Sequence, residues 1–425
     1  MVEHNHTDNE DHVHYHGVDK AEEHLSVSDA LKTLLTSITP VKSEVVRLQE
    51  ANNRILFEDV RSPANLPRLA RSTRDGYAVN ISKDEERGQK FKVVGDIRIG
   101  TIPKLSLRSG QAARIATGSY IPRGANSVVM LEYASVNDHI VTVDKEIKIR
   151  ENIIGAGEDL IKGQILFNRN TRILPQHIAL FSMLGIRSVK VFSKPRIAFF
   201  STGDELMDAE QREKKSSHLI YDANRPFIRA MIKMLGAEPV DFGIAKDKFQ
   251  VIKAKMLNGL KYDALLLSAG SSVGERDYVS KVIDTISGVK MLIHGVAMRP
   301  SSPTGLATYR GKPIILLPGF PTSTIISFLV FARPAILALS GSTNVEPLMI
   351  KARLLDDYNG KKGIRHFVRV NVKREGDAYT ANIVRPTEAY SSKWLLNANA
   401  VAVIGEDRGF VKANDEVDIL ITGEL

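Results

Sequence analysis

The sequence predicts a multidomain protein of α/β and β class, in which a doubly wound parallel α/β domain is accompanied by a split helical domain, an inserted β domain and a C-terminal β-barrel domain. Three observations predict it. From Lys194 onward strand, loop and helix alternate, the grammar of a parallel sheet covered on both faces. Residues 61–149 and the stretch after Val345 instead carry short alternating apolar runs separated by Gly, Pro, Asn and Asp, which reads as small β domains. Finally, 425 residues exceed one ordinary core, so length alone predicts roughly two to four domains.

Residues 1–24 hold six of the eleven histidines among acids and polar residues with no apolar period, which predicts a disordered tail with opportunistic affinity for a soft divalent metal and no catalytic role. Leu31, Leu34, Leu35 and Ile38 then have helical spacing, with Ser26 or Ser28 placed to cap the start, and a second helix is expected over Val45–Phe57. Segments 25–60 and 150–193 form the split helical domain around the inserted β domain at 61–149, and Pro175–Leu184 reads as a short helix closed by Gly185. Within 194–342, Ile197–Phe200, Pro239–Phe242 and Ala264–Leu267 read as strands. Pro226–Leu235, Lys248–Leu257 and Tyr278–Ile286 read as helices between them. After Pro303 two strands joined at Arg310-Gly311 lead to a helix from Thr322, and residues 343–425 form the last domain.

Composition narrows the function classes. A hydrophobic fraction of 43% and a charged fraction of 25% are ordinary for globular proteins. With no cysteine, thiolate ligands, disulfides and cysteine nucleophiles are excluded, and a cytoplasmic setting is expected. Nothing at the N-terminus resembles an export signal. The longest apolar run, Thr324 to Leu339, contains Arg333 and Pro334 and falls short of the roughly 20 residues of a membrane span, so it reads as a buried helix. The net charge of +9 suits a polyanionic ligand. Basic residues are scattered, however, without the stripe or aromatic platform of a nucleic-acid module, which favours a small anion.

In an open parallel sheet ligands bind beyond the carboxyl ends of the strands. Four loops are expected there, each between a strand and a helix: Ser201–Glu205, Gly243–Asp247, Ser268–Asp277 and Pro318–Ser323. The third combines small residues, hydroxyls and two glycines, a backbone that phosphate can approach, although an ordinary strand-to-helix connection has the same look. The fourth is stiffened by two prolines and hands hydroxyls to a helix start. The substrate-binding candidates are therefore Ser201, Thr202, Gly270, Ser271, Ser272, Gly274, Pro318, Gly319 and Ser323. Glu205, Asp247 and Asp277 converge from three loops, where grouped carboxylates beside phosphates hold magnesium; Glu205 and Asp277 could equally cap helices. Upstream, Asp75-Gly76 and Thr117-Gly118 read as turns before strands.

Taken together these segments resemble the molybdopterin molybdenumtransferase family, which includes bacterial MoeA and the E domain of gephyrin. The resemblance rests on Ser72-Thr73-Arg74-Asp75-Gly76-Tyr77-Ala78-Val79, Arg114-Ile115-Ala116-Thr117-Gly118, Gly157-Glu158-Asp159, Ser201-Thr202-Gly203-Asp204-Glu205-Leu206, Tyr221-Asp222-Ala223-Asn224, Ser272-Val273-Gly274 with Asp277-Tyr278, and Pro318-Gly319 with Pro321 and Ser323. It implies insertion of molybdate into adenylylated molybdopterin with release of AMP. It also implies a homodimer whose clefts are shared between subunits, so that Asp75 and Thr117 act in trans on the Glu205, Asp247 and Asp277 site, with Mg2+ as cofactor.

Where the family has Lys-Pro-Gly-Lys-Pro, this chain reads Arg299-Pro300-Ser301-Ser302-Pro303, one cation kept and the second replaced by a hydroxyl. Arg299 is then expected to neutralise molybdate, with Ser302 beside it. Phe320 replaces the family's asparagine after Gly319, and Ala269-Gly270-Ser271 replaces a Gly-Gly start. Two other readings remain at this point: a molybdopterin adenylyltransferase, which shares the α/β domain, and a scaffold or binding paralogue that has lost catalysis.

Overall fold

The computed structural model describes residues 24–84, 88–210, 219–269, 278–384 and 394–422. Of the expected disordered tail at 1–24, residues 1–23 lie outside them, as do the loop residues Gly270, Ser271, Ser272, Gly274 and Asp277. His24, the last residue of that tail, is instead placed, its ring packed against Gly295 and Ser302. The chain divides into two compact units, residues 44–191 and residues 1–43 with 192–425.

The 44–191 unit is built on a six-stranded sheet in the order Ser127–Met130, Gly76–Val79, Gln111–Ile115, Lys90–Ile97, Ile140–Val143, Ala134–Asn137. Gly76–Val79 is buried at every position because it runs antiparallel between two neighbours with both faces covered, Tyr77 and Val79 on one side and Ala78 on the other. The helix expected at Val45–Phe57 is not formed. Ser43–Arg47 is a strand paired with Ser188–Phe192, followed by a single 3-10 turn at Leu48–Glu50. The spacing of Val46, Leu48, Ala51 and Ile55 serves either period, and the β-branched pair Val45-Val46 favours the extended state. Helix Pro175–Met183 forms as expected, with Gly185 in the left-handed region just beyond it.

The larger unit holds the α/β sheet in the order Glu238–Ala245, Arg196–Thr202, Ala264–Ala269, Lys312–Pro318, Gly305–Tyr309, Val289–His294. The first four strands are parallel. Gly305–Tyr309 runs antiparallel to both its neighbours, Lys312–Pro318, to which it is joined by the tight turn at Arg310-Gly311 where both residues have positive φ, and the edge strand Val289–His294. Alternate residues feed two cores. Ile197, Phe199, Leu266, Ile315 and Leu317 pack with helices Val27–Thr36, Asn224–Met234 and the long helix from Pro321; Ala198, Phe200, Leu265, Leu267 and Leu316 pack with Phe249–Gly259 and Tyr278–Thr285. Burial on both faces explains why these strands read as continuous apolar runs, each fully buried Phe or Leu contributing roughly 1.5–3 kcal/mol.

The segment Pro321–Leu339 is long and apolar enough to cross a membrane by length and composition, yet 67% of it is buried within the unit. Its middle turn, Phe328–Ala332, widens into a π-helix just before Pro334, whose ring would clash with the Val330 carbonyl in a continuous α-helix. Past it, Met349–Leu354, Ala378–Ile383, Arg365–Glu375, Ala400–Ile404 and Glu416–Ile421 close into a five-stranded barrel, Arg365–Glu375 pairing with both Ala378–Ile383 and Ala400–Ile404. Val368, Val370, Ala402 and Ile419 help fill its interior.

Candidate active site

Two adjacent parallel strands deliver the carboxylates. Arg196–Thr202 ends in the buried hydroxyl residues Ser201 and Thr202, then turns through Gly203, which sits at φ +154°. A Cβ at Gly203 would stand 2.7 Å from Glu205 Oε1, so the glycine leaves room for the Glu205 carboxylate to fold back. The sequence placed a helix immediately after this loop. Instead Leu206–Met207 is a short strand paired with Ile220–Tyr221, and the helix starts only at Asn224. Glu205 therefore is not a helix cap. Likewise Gly243 to Ala245 still belong to Glu238–Ala245, so the second loop begins at Lys246.

Across the strand ends Asp204 N–H donates to Asp247 Oδ2 and Asp247 N–H to Asp204 Oδ1, each at 3.3 Å. Burial pushes the Asp247 carboxyl above its ordinary range. The charges on Asp204 and Glu205 add to the push, against the Asp204 N–H and the ammonium of Lys246, which lies 4.0 Å from Asp204 Oδ1. Sequence reasoning singled out Glu205 and Asp247, which the fold brings together, and missed Asp204. Among the described residues no three carboxylate or imidazole groups stand close enough to enclose a metal ion.

The next two strands, Ala264–Ala269 and Lys312–Pro318, end side by side, Ala269 opposite Pro318. Asn224, the first residue of its helix and nearly buried, clamps them: its Nδ2 donates to Ser268 Oγ at 2.7 Å and to Gly319 O at 2.6 Å. Thr324 Oγ1 donates back to Pro318 O, fixing the start of Pro321–Ser327. Phe320 projects with 54% exposure, and Ser323 O accepts the hydroxyl of Ser301 at 2.7 Å. Ser301 is buried at φ +84°, a conformation natural to the glycine of the resembling motif; its hydrogen bond offsets that strain. Arg299 pairs in register with His366 and is exposed, while Ser302 is half-buried.

Behind the Asn224 clamp lies a buried ionic hub. Arg225 donates from Nε to Asp241 Oδ1 at 3.0 Å and from Nη2 to Asp208 Oδ2 at 2.9 Å, with Asp222 Oδ2 3.7 Å from Nη1 and Arg229 also bonded to Asp241. Burial acts to raise the Asp241 carboxyl, but Gly243 N–H, Arg225 and Arg229 together hold it below its usual range. Sequence reasoning did not find this hub. Its only signal was an arginine inside an otherwise amphipathic helix.

Within the 44–191 unit, Asp75 and Thr117 come together: Thr117 N–H donates to Asp75 Oδ1 at 2.8 Å, and both are exposed. The turns are held by Gly118 N–H to Ser72 O at 2.8 Å and Leu131 N–H to Asp75 O at 3.1 Å. Gly76 cannot be larger, since a Cβ there would lie 1.7 Å from Val129 O.

This arrangement lies in a chain that matches known proteins over most of its length, from residue 25 to residue 422. Residues 25–185 match the MoeA N-terminal region (domains I and II), 198–338 a probable molybdopterin-binding domain, and 351–422 the MoeA C-terminal region (domain IV). The molybdopterin molybdenumtransferase of Staphylococcus aureus (strain MSSA476) is 30% identical over 407 residues, 94% of this chain and 96% of the relative. The chain belongs to the MoeA family. The same enzyme of Staphylococcus epidermidis (strain ATCC 12228) is also 30% identical, with the same coverage. Among solved structures, a molybdopterin biosynthesis MoeA protein of Pyrococcus horikoshii superposes with a TM-score of 0.81 at 28% identity, covering 95% of this chain and 100% of that one. MoeA membership accounts for the multidomain α/β and β architecture, and it makes the carboxyl edge of the molybdopterin-binding domain the place to look for chemistry.

Proposed function

We propose that this chain is a molybdopterin molybdenumtransferase, inserting molybdate into adenylylated molybdopterin with release of AMP in molybdenum cofactor biosynthesis. The observation that carries the reading is the carboxyl edge of the sheet, where the Asp204, Glu205 and Asp247 carboxylates stand at the ends of two strands and the clamped Pro318-Gly319 turn at the end of a third. Anionic crowding with one weak lysine contact is what a hard dication relieves, and because the described carboxylates do not by themselves enclose an ion, magnesium would take its remaining oxygen ligands from Asp277, the substrate phosphates and water. Glu205, Asp247 and Asp277 would hold it, and when bound it supplies charge neutralisation at the phosphates.

The residues have distinct tasks. Backbone and hydroxyl groups of Gly270, Ser271, Ser272, Gly274 and Pro318 to Ser323 hold the phosphates of the adenylylated pterin, with Ser201 and Thr202 at the adjacent strand end. Arg299, with Ser302 beside it, neutralises molybdate. Water cleaves the pyrophosphate link, one phosphate taking its oxygen as AMP leaves, and the two dithiolene sulfurs replace molybdate oxygens that depart as water with the thiol protons; a chain without cysteine is therefore sufficient. The proposal includes a cytoplasmic homodimer in which Asp75 and Thr117 of one subunit complete the cleft of the other.

The deciding experiment is AMP release from adenylylated molybdopterin with and without molybdate. A molybdate-dependent rate supports the transferase. An adenylyltransferase would instead form the adenylylated pterin from ATP, and a scaffold would release nothing; either result overturns the reading.

A further inference from the structure

Leu25 is tied to the loop that carries Arg299. Ala297 N–H donates to Leu25 O at 3.0 Å, and Leu25 pairs in parallel with Val296. That pairing seats the preceding residue, His24, over Gly295. A Cβ at Gly295 would stand 2.5 Å from His24 Nε2 and 3.0 Å from Cδ2 and Cε1, so the imidazole fills the space the glycine leaves. The other ring nitrogen, Nδ1, lies 3.5 Å from Ser302 Oγ, the long limit of a hydrogen bond. The loop is closed on itself by Val296 N–H to Ser302 O at 2.8 Å and Gly295 N–H to Thr304 O at 3.0 Å, which holds Ser302 in place beneath the ring.

Ser302 is the residue that stands where the family motif carries its second lysine. A neutral hydroxyl alone cannot replace that charge at a site that must desolvate a dianion. We propose that His24 is a positioning residue for the molybdate site: as an imidazolium it donates Nδ1–H to Ser302 Oγ, turns the serine's own hydrogen toward the oxyanion, and supplies the positive charge the lysine would have brought. A cation lost from one position in the loop is thus returned from a different segment of the chain. The inference rests on the reading of Arg299 and Ser302 as the oxyanion site.

The test uses the full chain and two readouts, the molybdate dependence of AMP release and equilibrium dialysis of molybdate against the protein alone. His24→Ala and His24→Gln should each raise the half-saturating molybdate concentration by about tenfold in both, the equivalent of one charge-assisted contact. The KM for adenylylated molybdopterin should stay unchanged. Ser302→Lys placed in either background should recover the loss. A His24→Gln protein that matches wild type shows that charge is not needed and overturns the proposal. So does a loss shared equally by both substrates, or one that Ser302→Lys leaves unrestored in a protein of unchanged melting temperature. If wild type binds molybdate in dialysis but releases no AMP, the transferase reading fails while dialysis still decides the role of His24. Wild type that takes up no molybdate in either assay overturns both.

Discussion

Asp204 and Asp247, separated by 43 positions in the chain, each accept the other's backbone N–H at 3.3 Å. The reciprocal pair joins the ends of two parallel strands and holds two carboxylates near a third, Glu205, without a strong cation between them. In the folded chain Asp247 is harder to ionise than in the unfolded one. A raised folded-state value means that the associated stability is fully present below the ordinary 3.8 and is lost as pH rises through the folded value. Asp247→Asn, which keeps an acceptor for Asp204 N–H, should therefore melt higher than wild type in EDTA at neutral pH, and the advantage should vanish below about pH 4. Added Mg2+ should raise the wild-type melting temperature and leave Asp247→Asn unmoved. Equal Mg2+ responses would remove Asp247 from the metal site.

Arg225 offers the opposite sign. Gly243 N–H and the two arginines outweigh burial to keep Asp241 below its usual range, and the Glu210 N–H and Arg225 do so for Asp208. Their stability is present above the ordinary 3.8 and is lost as pH falls through the folded values. The Arg225 side chain is only 8% exposed, so Arg225→Ala strands buried carboxylates and should cost on the order of 3–5 kcal/mol in a urea melt at neutral pH. The difference from wild type should shrink in acid as the aspartates protonate. A cost below about 1 kcal/mol would mean that water replaces the guanidinium there.

Much of this architecture can be read from local pattern because the physics that sets it is local or periodic. Strands buried on both faces, such as Ala264–Ala269, appear as unbroken apolar runs, and Gly236 and Gly185 mark helix ends through their positive φ. The Val45–Phe57 segment misleads because its apolar spacing suits helix and strand alike, and only the partner strand Ser188–Phe192, more than a hundred residues away, decides between them. The site divides the same way. The carboxyl-edge rule brings Glu205 and Asp247 to one place. Asp204 and Asn224 are invisible to it because their roles depend on register across the sheet, Asp204 against Asp247 and Asn224 against Ser268 and Gly319.

Asn224 can be tested on its own. Its amide satisfies Ser268 Oγ and Gly319 O at once, in a nearly buried position. Asn224→Ala should cost about 1–3 kcal/mol for the unpaired acceptors. Because the Pro318-Gly319 turn is released, the KM for adenylylated molybdopterin should rise while the molybdate dependence stays as in wild type. A loss of stability with both KM values intact would confine Asn224 to folding.

The proposed sharing of clefts rests on Asp75, whose carboxylate accepts Thr117 N–H at 2.8 Å inside the 44–191 unit, while Glu205 and Asp247 belong to the other unit. Asp75→Asn preserves an oxygen for that hydrogen bond and removes only the charge, so the turn should survive and any lost activity reports on chemistry rather than folding. Asp247→Asn does the same at the strand end. Each variant alone is expected to be inactive as a homodimer. If subunits exchange freely and clefts are built from two chains, a one-to-one mixture contains heterodimers in half of the pairs, each with one site that carries both substitutions and one that carries neither. The mixture should regain about a quarter of wild-type AMP release per subunit, rising with the time allowed for exchange. Exchange is followed independently by mixing differently tagged chains and isolating the doubly tagged species. Doubly tagged dimers that release no AMP would place Asp75 and Asp247 in the same cleft of one subunit, because a heterodimer of such chains has no intact site.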